Sequence, residues 1–185
     1  SNQFSDDANN KASICAREVY SIYQRYNANK GTQFIFSDLG TYNKDRWNIY
    51  DDIKAKLVAL GIPADEIKFI QQCATEPARK QLFKQLNEGT VRVVMGSTVM
   101  LGTGVNAQKR AVAVHHLDIP WRPADLEQRN GRAIRKGNTV KEWGGNKVDI
   151  IIYGTESTLD AYKFNLLKSK QMFINQINSG TIQTR

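Results

Sequence analysis

Short runs rich in β-branched and aromatic residues, each separated from the next by a stretch with helical spacing, constrain this chain more than any other feature. The runs are 33–37 (QFIFS), 67–71 (IKFIQ), 91–95 (VRVVM), 111–117 (AVAVHHL) and 148–153 (VDIIIY). Their length and makeup predict strands. Residues 11–27 place Ala12, Cys15, Val19, Ile22, Tyr23 and Tyr26 at spacings of three and four, the stripe of an amphipathic helix. Asp45 stands where it can cap a second helix carrying Ile49, Ile53, Leu57 and Leu60, which Gly61 and Pro63 stop. Thr75 is placed to cap a third through Leu82, Phe83 and Leu86, ended by Gly89, and Pro123 opens a short helix running into Gly131 and Arg132. Ser157 or Thr158 is expected to cap a final helix carrying Leu159, Tyr162, Leu166, Phe173 and Ile177. Strands alternating with helices predict an α/β fold: three layers, a mostly parallel sheet with helices on both faces. Ligands of such sheets lie beyond the carboxyl ends of the strands, so the loops after 37, 71, 97, 117 and 153 carry the functional expectation. The loop 136–147 (KGNTVKEWGGNK) reads as a flexible, glycine-rich insertion.

Composition bounds the function classes. A length of 185 residues suits one domain. The 26 Lys plus Arg against 18 Asp plus Glu leave a net charge of +8, which favours an anionic partner. Charge alone fits an ordinary basic surface and nucleic-acid binding equally well. Cys15 and Cys73 supply neither a disulfide framework nor a four-ligand zinc site, and the adjacent His115 and His116 cannot make a metal triad. No apolar run approaches the ~18 residues of a membrane span. The start at Ser1-Asn2-Gln3 has neither Met nor a signal-peptide apolar region, and looks like an excised fragment.

Two loops carry chemistry. In the first, 96–107, Gly102-x-Gly104-x-x-Ala107 matches a dinucleotide-binding fingerprint, but residues intervene between strand and glycines and there is no room for a crossover helix before 111. Two other readings stay open: a tight turn only, or a backbone cradle in which Thr98 and the glycines bring main-chain N–H groups to a phosphate. The second loop, 118–137, reads DIPWRPADLEQRNGRAIRKG. Arg132 and Arg135 are three apart, so on a helical turn they would share a face, and two guanidinium groups on one face suit a polyphosphate. The plainer reading of this stretch is a solvated basic helix paired with Asp125 and Glu127.

The ordered set of motifs resembles the second RecA-like lobe of superfamily-two helicases and translocases, on the Swi/Snf-like side. Phe34 to Ser37 looks like that lobe's first motif, a strand ending at a DNA-backbone contact. Ser97-Thr98 through Gly102, Gly104, Val105 and Asn106 looks like its "S-T-x-x-x-G-x-G-[IV]-N" loop. Gln128 through Arg135 looks like its terminal "Q-R-x-G-R-x-x-R" motif, and Gly154-Thr155 with Thr158, Leu159 and Asp160, then Lys168 and Lys170, looks like its closing strand and helix. The likeness spans roughly 30–175 and is closest to helicase lobes of phage and mobile-element proteins fused to DNA methyltransferases. There are departures: Val99 stands where many such lobes have a basic residue, Leu101 where many have Gly, Asp38 replaces a common Gln, and the usual Gly near 72–74 is missing. The implied layout is a lead-in helix over 1–29, the RecA-like lobe over 30–154, and a closing helix and tail over 155–185.

The resemblance implies roles. Arg132 and Arg135 would be arginine fingers on the γ-phosphate of ATP, with Gln128 a sensor at the same cleft. Gly102, Gly104, Asn106 and Arg129 would lie near the nucleotide. Ser37, Thr98 and Arg79 would touch the DNA backbone. His115 and His116 would have no chemistry, and Trp121 would be a packing anchor. The chain contains no Gly-x-x-x-x-Gly-Lys-[Ser/Thr] loop and no acidic Mg²⁺-holding motif after a suitable strand, and a P-loop ATPase needs both. In this family those groups lie on an upstream first lobe. The expectation is therefore half of an ATP site: ATP and Mg²⁺ bound in the parent only, with DNA, the missing lobe and a possible methyltransferase domain as partners. The setting would be cytoplasmic, in a bacterial or phage-encoded protein. A non-catalytic nucleic-acid-binding module is the alternative, and a dinucleotide enzyme stands only if the chain binds NAD. If the end helices docked on a first lobe, their outer apolar faces would be exposed.

Overall fold

Six parallel strands form one sheet in the order β2-β3-β1-β4-β5-β6, and helices cover both of its faces. This computed structural model describes residues 3–104, 106–120, 122–143, 147–154 and 174–176. The strands are β1 Thr32–Phe36, β2 Ile67–Phe69, β3 Val93–Gly96, β4 Ala111–His116, β5 Asp149–Ile152 and β6 Ile174–Gln176. The helices are α1 Gln3–Arg25, α2 Ile49–Leu60, α3 Glu76–Glu88, α4 Thr98–Leu101, α5 Pro123–Asn130 and α6 Val140–Trp143. The expected α/β class, with its mostly parallel sheet between helical layers, is what the chain adopts.

The strands show no in-and-out polarity because both faces are covered. β1, β3 and β4 are buried along their whole length. Successive side chains still alternate between faces. Ile35, Val93, Met95, Ala113 and Ile151 join the core formed with α1 and α2, through Ala12, Val19, Ile22, Ile53 and Leu57. Phe34, Phe36, Val94, Val114 and Ile150 join the second core with Leu82, Phe83 and Leu86 of α3 and Leu101 of α4. Each side chain is thereby assigned to one of two apolar layers.

Local signals set the helix ends. Thr75 caps α3 by accepting from the Ala78 amide, and Gly89, at φ 79°, closes it in the left-handed conformation. Ser97 accepts from the Met100 amide and starts α4. α2 is capped by Asn48, which accepts from the Asp51 amide, not by Asp45. Asn48 is fixed there because its own amide donates to the Asn43 and Arg46 carbonyls, folding 43–48 into a compact turn.

Other expectations fail for physical reasons. Residues 70–71 leave the strand for a 3-10 turn, Ile70–Gln72, which brings the Cys73 amide back to the Ile70 carbonyl. The expected closing helix does not reach 177, since Ile174–Gln176 pair with Ile150–Ile152 as β6. Its remaining expected positions, with Thr155, Thr158, Leu159, Asp160, Lys168 and Lys170, lie outside the described residues. The loop 136–147 is not merely a flexible insertion. It holds α6, with Val140 buried and Trp143 set edge-on against Tyr26 at 6.1 Å. The α1 stripe is not left exposed for another lobe: Ala12, Cys15, Val19 and Ile22 are fully buried here.

Arg92 pins α1 to the sheet. It lies at the end of the short gap between α3 and β3, fully buried, where sequence pattern places an apolar side chain. Its Nε donates to the Gly31 carbonyl, Nη1 to Asn27 Oδ1 and Nη2 to the Tyr23 carbonyl, while the Tyr23 ring stacks at 4.0 Å. Arg92→Ala would leave these buried acceptors without a donor. Urea unfolding should show a loss of about 3 kcal/mol, in the range for hydrogen bonds to a charged group that leave buried partners unsatisfied. A loss under about 1 kcal/mol would mean that the staple is not structural.

Candidate nucleotide and nucleic-acid site

The loops leaving three adjacent strands, β3, β1 and β4, converge on one side chain, Arg129 of α5. Each loop contributes a polar residue two positions past its strand end: Asp38 after Phe36, Thr98 after Gly96 and Asp118 after His116. Arg129 is fully buried among them. Its Nε donates to Thr98 Oγ1 at 2.8 Å, and one Nη2 proton goes to Asp38 Oδ2 at 2.9 Å and the other to Asp118 Oδ1 at 2.8 Å. Nη1 donates to the Asp118 carbonyl at 2.8 Å and to His116 Nδ1 at 3.3 Å. A guanidinium has five N–H donors, and all five are engaged.

The carboxylates are also committed. Asp38 accepts from the Thr98 amide at 2.7 Å and the Thr98 hydroxyl at 2.9 Å. Asp118 Oδ2 accepts from the Asp38 and Leu39 amides at 2.7 and 2.8 Å. Burial alone would raise the Asp38 carboxyl, but the Thr98 amide, the Arg129 charge and the Thr98 hydroxyl outweigh it and hold it below the ordinary carboxylate range. His116 Nε2 meets Asn130 Oδ1 at 2.8 Å, so that nitrogen carries the proton and Nδ1 accepts from Arg129. Burial first, and then the Arg129 charge, push His116 down to about 3, while burial and His116 push His115 to about 3. His115 links Tyr153 and Gln33, each at 2.7 Å. Both histidines are neutral and link side chains of neighbouring elements.

Beside this cluster, the glycine loop and the arginine turn meet. A Cβ on Gly102 would lie 2.3 Å from the Thr98 carbonyl oxygen and 3.4 Å from Gln128 Cγ, so the loop closes down on α5 only with glycine there. Gly104, at φ +127°, has its carbonyl accept from Arg132 Nη1 at 3.3 Å. Arg132 is buried, with its guanidinium 5.2 Å over the Phe83 ring. Burial, and then the charge of Arg135, lower Arg132 to about 10.

The structure therefore brings Gln128, Gly102, Gly104 and Arg132 together. Arg135 is exposed, and it does not share a helical face with Arg132, because α5 ends at Asn130 and 131–135 form turns. Asn106 is exposed, and its carbonyl accepts from Asn87 Nδ2. Arg129, expected at the nucleotide, is instead enclosed by its own loops. Ser37 and Thr98, expected at DNA, are buried with their hydroxyls bonded internally: Ser37 Oγ donates to the Leu39 carbonyl at 2.6 Å. Arg79 is half-buried and donates Nε to the Cys73 carbonyl, at the start of α3. Val105 and Trp121 lie outside the described residues. The residues that sequence reasoning missed are Asp38, Asp118 and His116 as holders of Arg129, with Asn130 behind His116. The common two-residue offset past each strand end was a usable signal, hidden by strand ends read one residue off. Among the described residues no group of three or more His, Cys, Asp or Glu could hold a metal, and no helix is long and apolar enough to cross a membrane.

A parallel sheet of this order, with its polar cluster at the carboxyl edge, has the RecA-like fold of helicase C-terminal lobes. Residues 64–137 match the helicase conserved C-terminal domain. Among solved structures, Saccharomyces cerevisiae Dbp5 bound to RNA and ADP BeF3 superposes with a TM-score of 0.61 at 17% identity, over 91% of this chain and 39% of that one. The C-terminal part of the Fun30 ATPase domain gives 0.57 at 19% identity, over 84% and 45%. The DUF1998 helicase MrfA bound to DNA and AMPPNP gives 0.55 at 18%, over 86% and 21%. In sequence, 74 residues are 34% identical to defense against restriction protein B of Escherichia phage P1, covering 40% of this chain and 3% of that protein. The chain thus spans a small part of the curated relative that it matches.

The neutral histidines predict a pH response. Their folded pKa lies near 3, below the ordinary 6.5, so as pH falls below 6.5 the unfolded chain takes up protons that the folded chain refuses. The unfolding free energy from urea titrations should fall between pH 6.5 and 3, by up to about 1.4 kcal/mol per pH unit per histidine. The Asp38 contribution is present above the ordinary carboxyl value of 3.8 and is lost below it. His116→Gln should flatten the upper window, and an unchanged slope would refute the neutral assignment.

Proposed function

We propose that this chain is the second lobe of an ATP-dependent, Swi/Snf-like DNA helicase or translocase, completed by a P-loop lobe elsewhere in the parent polypeptide. The observation that carries this reading is the placement of Arg132, buried over Phe83 against Gly104 with the charge of Arg135 bearing on it, inside the segment that matches the helicase C-terminal domain. As charge builds on a transferring γ-phosphoryl group, such cations stabilise it. Arg132 is preorganised by its ring and carbonyl contacts, and Arg135 is exposed and able to reach across to a facing lobe. Gln128, packed on Gly102, would sense the same cleft.

The Lys and the Mg²⁺ ligands of the reaction would come from the facing lobe, since the sequence contains no P-loop. ATP and Mg²⁺ would then be held in the parent, not by this chain alone. Nucleic acid as the partner is supported by the +8 charge and by relatives solved with DNA or RNA. A phage or mobile-element source is supported by the likeness to the phage P1 protein.

With ATP, Mg²⁺ and DNA, the isolated chain should release no phosphate above background. In the parent protein, Arg132→Ala and Arg135→Ala should each lower DNA-stimulated kcat by about 10³-fold. Hydrolysis by the isolated chain that Arg132→Ala abolishes would overturn the half-site reading. Unchanged turnover in both parent variants, with DNA binding retained, would favour the non-catalytic module.

A further inference from the structure

The carboxyl-edge cluster is a poor seat for phosphate. Asp38 and Asp118 carry two negative charges against the single positive charge of Arg129, and every donor of that guanidinium is engaged internally. A different surface has the opposite character. A cavity of about 420 Å³ lies between the turn that follows α5, α6 and the residues leading into β5. Arg135, Lys136, Lys141 and Lys147 line it, over apolar surface from Val140 and Val148. No carboxylate is among its described lining residues. The nearby Asp149 feels Lys147 but is bridged to Arg25 at 3.9 Å.

The part of the wall that carries Lys136 is clamped. Gln108 Nε2 donates to the Lys136 carbonyl at 2.8 Å, and Thr139 donates its amide and hydroxyl to the Lys109 carbonyl at 2.9 and 2.8 Å. Asn138 Nδ2 donates to the carbonyls of Ala111 and Ala133, each at 2.9 Å. These bonds tie the wall to the amino end of β4, at the opposite edge of the sheet from Asp38 and Asp118. Lysines on a fixed backbone lose less freedom on gripping an anion than lysines on a mobile loop.

We propose that this cavity is a phosphate-binding site in its own right, taking phosphate groups through Lys136, Lys141 and Lys147, with the apolar surface accepting the sugar or base beside them. Arg135 borders it, but the site does not require Arg135 to act as a finger. The phosphate could belong to a nucleic-acid backbone or to a free polyphosphate such as that of a nucleotide, and both present the same chemistry.

The test uses the whole 185-residue chain. Labelled single-stranded oligo(dT) is titrated by fluorescence anisotropy at several salt concentrations, and tripolyphosphate by calorimetry. The cavity variant Lys141→Glu with Lys147→Glu is set against Lys80→Glu with Lys84→Glu, an equal charge change on exposed residues of α3. Both pairs are exposed, and equal urea midpoints confirm that both variants fold. The cavity variant should lose about 10-fold or more in affinity, and its salt slope for the oligonucleotide should shrink by about 0.7 per lost phosphate contact. The α3 variant should stay within about 2-fold of the parent chain. Loss confined to the oligonucleotide assigns a backbone phosphate, and loss of tripolyphosphate as well assigns a free polyphosphate. Equal effects of the two variants on both ligands, or no binding of either ligand by the unaltered chain, would overturn the site. Failure of the arginine-finger reading would show separately, as unchanged turnover of the parent in Arg132→Ala.

Discussion

The carboxyl edge of this sheet is organised by one buried cation. Arg129 removes its charge from water, which is costly, and the structure offsets that cost by giving every N–H a partner and two of them carboxylates. Because its partners come from the loops after β1, β3 and β4, one side chain fixes the relative positions of three loops and of α5. The glycine loop can then close on Gln128, and Arg132 can reach the Gly104 carbonyl. A lysine at 129 has three donors on one atom and could not span these partners, so the geometry depends on a planar guanidinium.

The same arrangement divides the charge of the molecule. At the carboxyl edge, two carboxylates and one guanidinium close on each other, and the hydroxyls of Ser37 and Thr98 face inward. On the far side of the arginine turn, Arg135, Lys136, Lys141 and Lys147 line one cavity, with no carboxylate among its described lining residues. Among the described residues, the strand exits therefore offer an anion less uncompensated positive charge than the proposed cavity does.

Much of the fold was legible because the chain obeys local rules. Thr75, Gly89, Gly61 and Pro123 mark helix ends in the structure as they do in the sequence. The strands were legible as apolar runs, and their burial on both faces explains why they lack alternation. Asn48 displaced Asp45 as a cap because a turn made by Asn43 and Arg46 holds it, a contact between residues that no propensity encodes. β6 was read as helix because Phe173 and Ile177, on either side of it, are four apart in the sequence, and the pairing of 174–176 with β5 decided the matter. Arg92 broke the apolar pattern of its segment without sign that three distant backbone and side-chain acceptors would satisfy it.

The sequence by itself determined the α/β class, the parallel sheet, most helix boundaries and the set of residue types around the proposed cleft. These follow from spacing, capping chemistry and motif order, all of which are local. Only the tertiary structure decided the surroundings of each arginine. Arg129, Arg132 and Arg135 are equivalent as letters three apart, yet one is enclosed, one is buried over a ring and one is exposed. The physical reason is that a guanidinium takes its role from the acceptors and charges that distant loops bring to it, and those distances are set when the sheet forms.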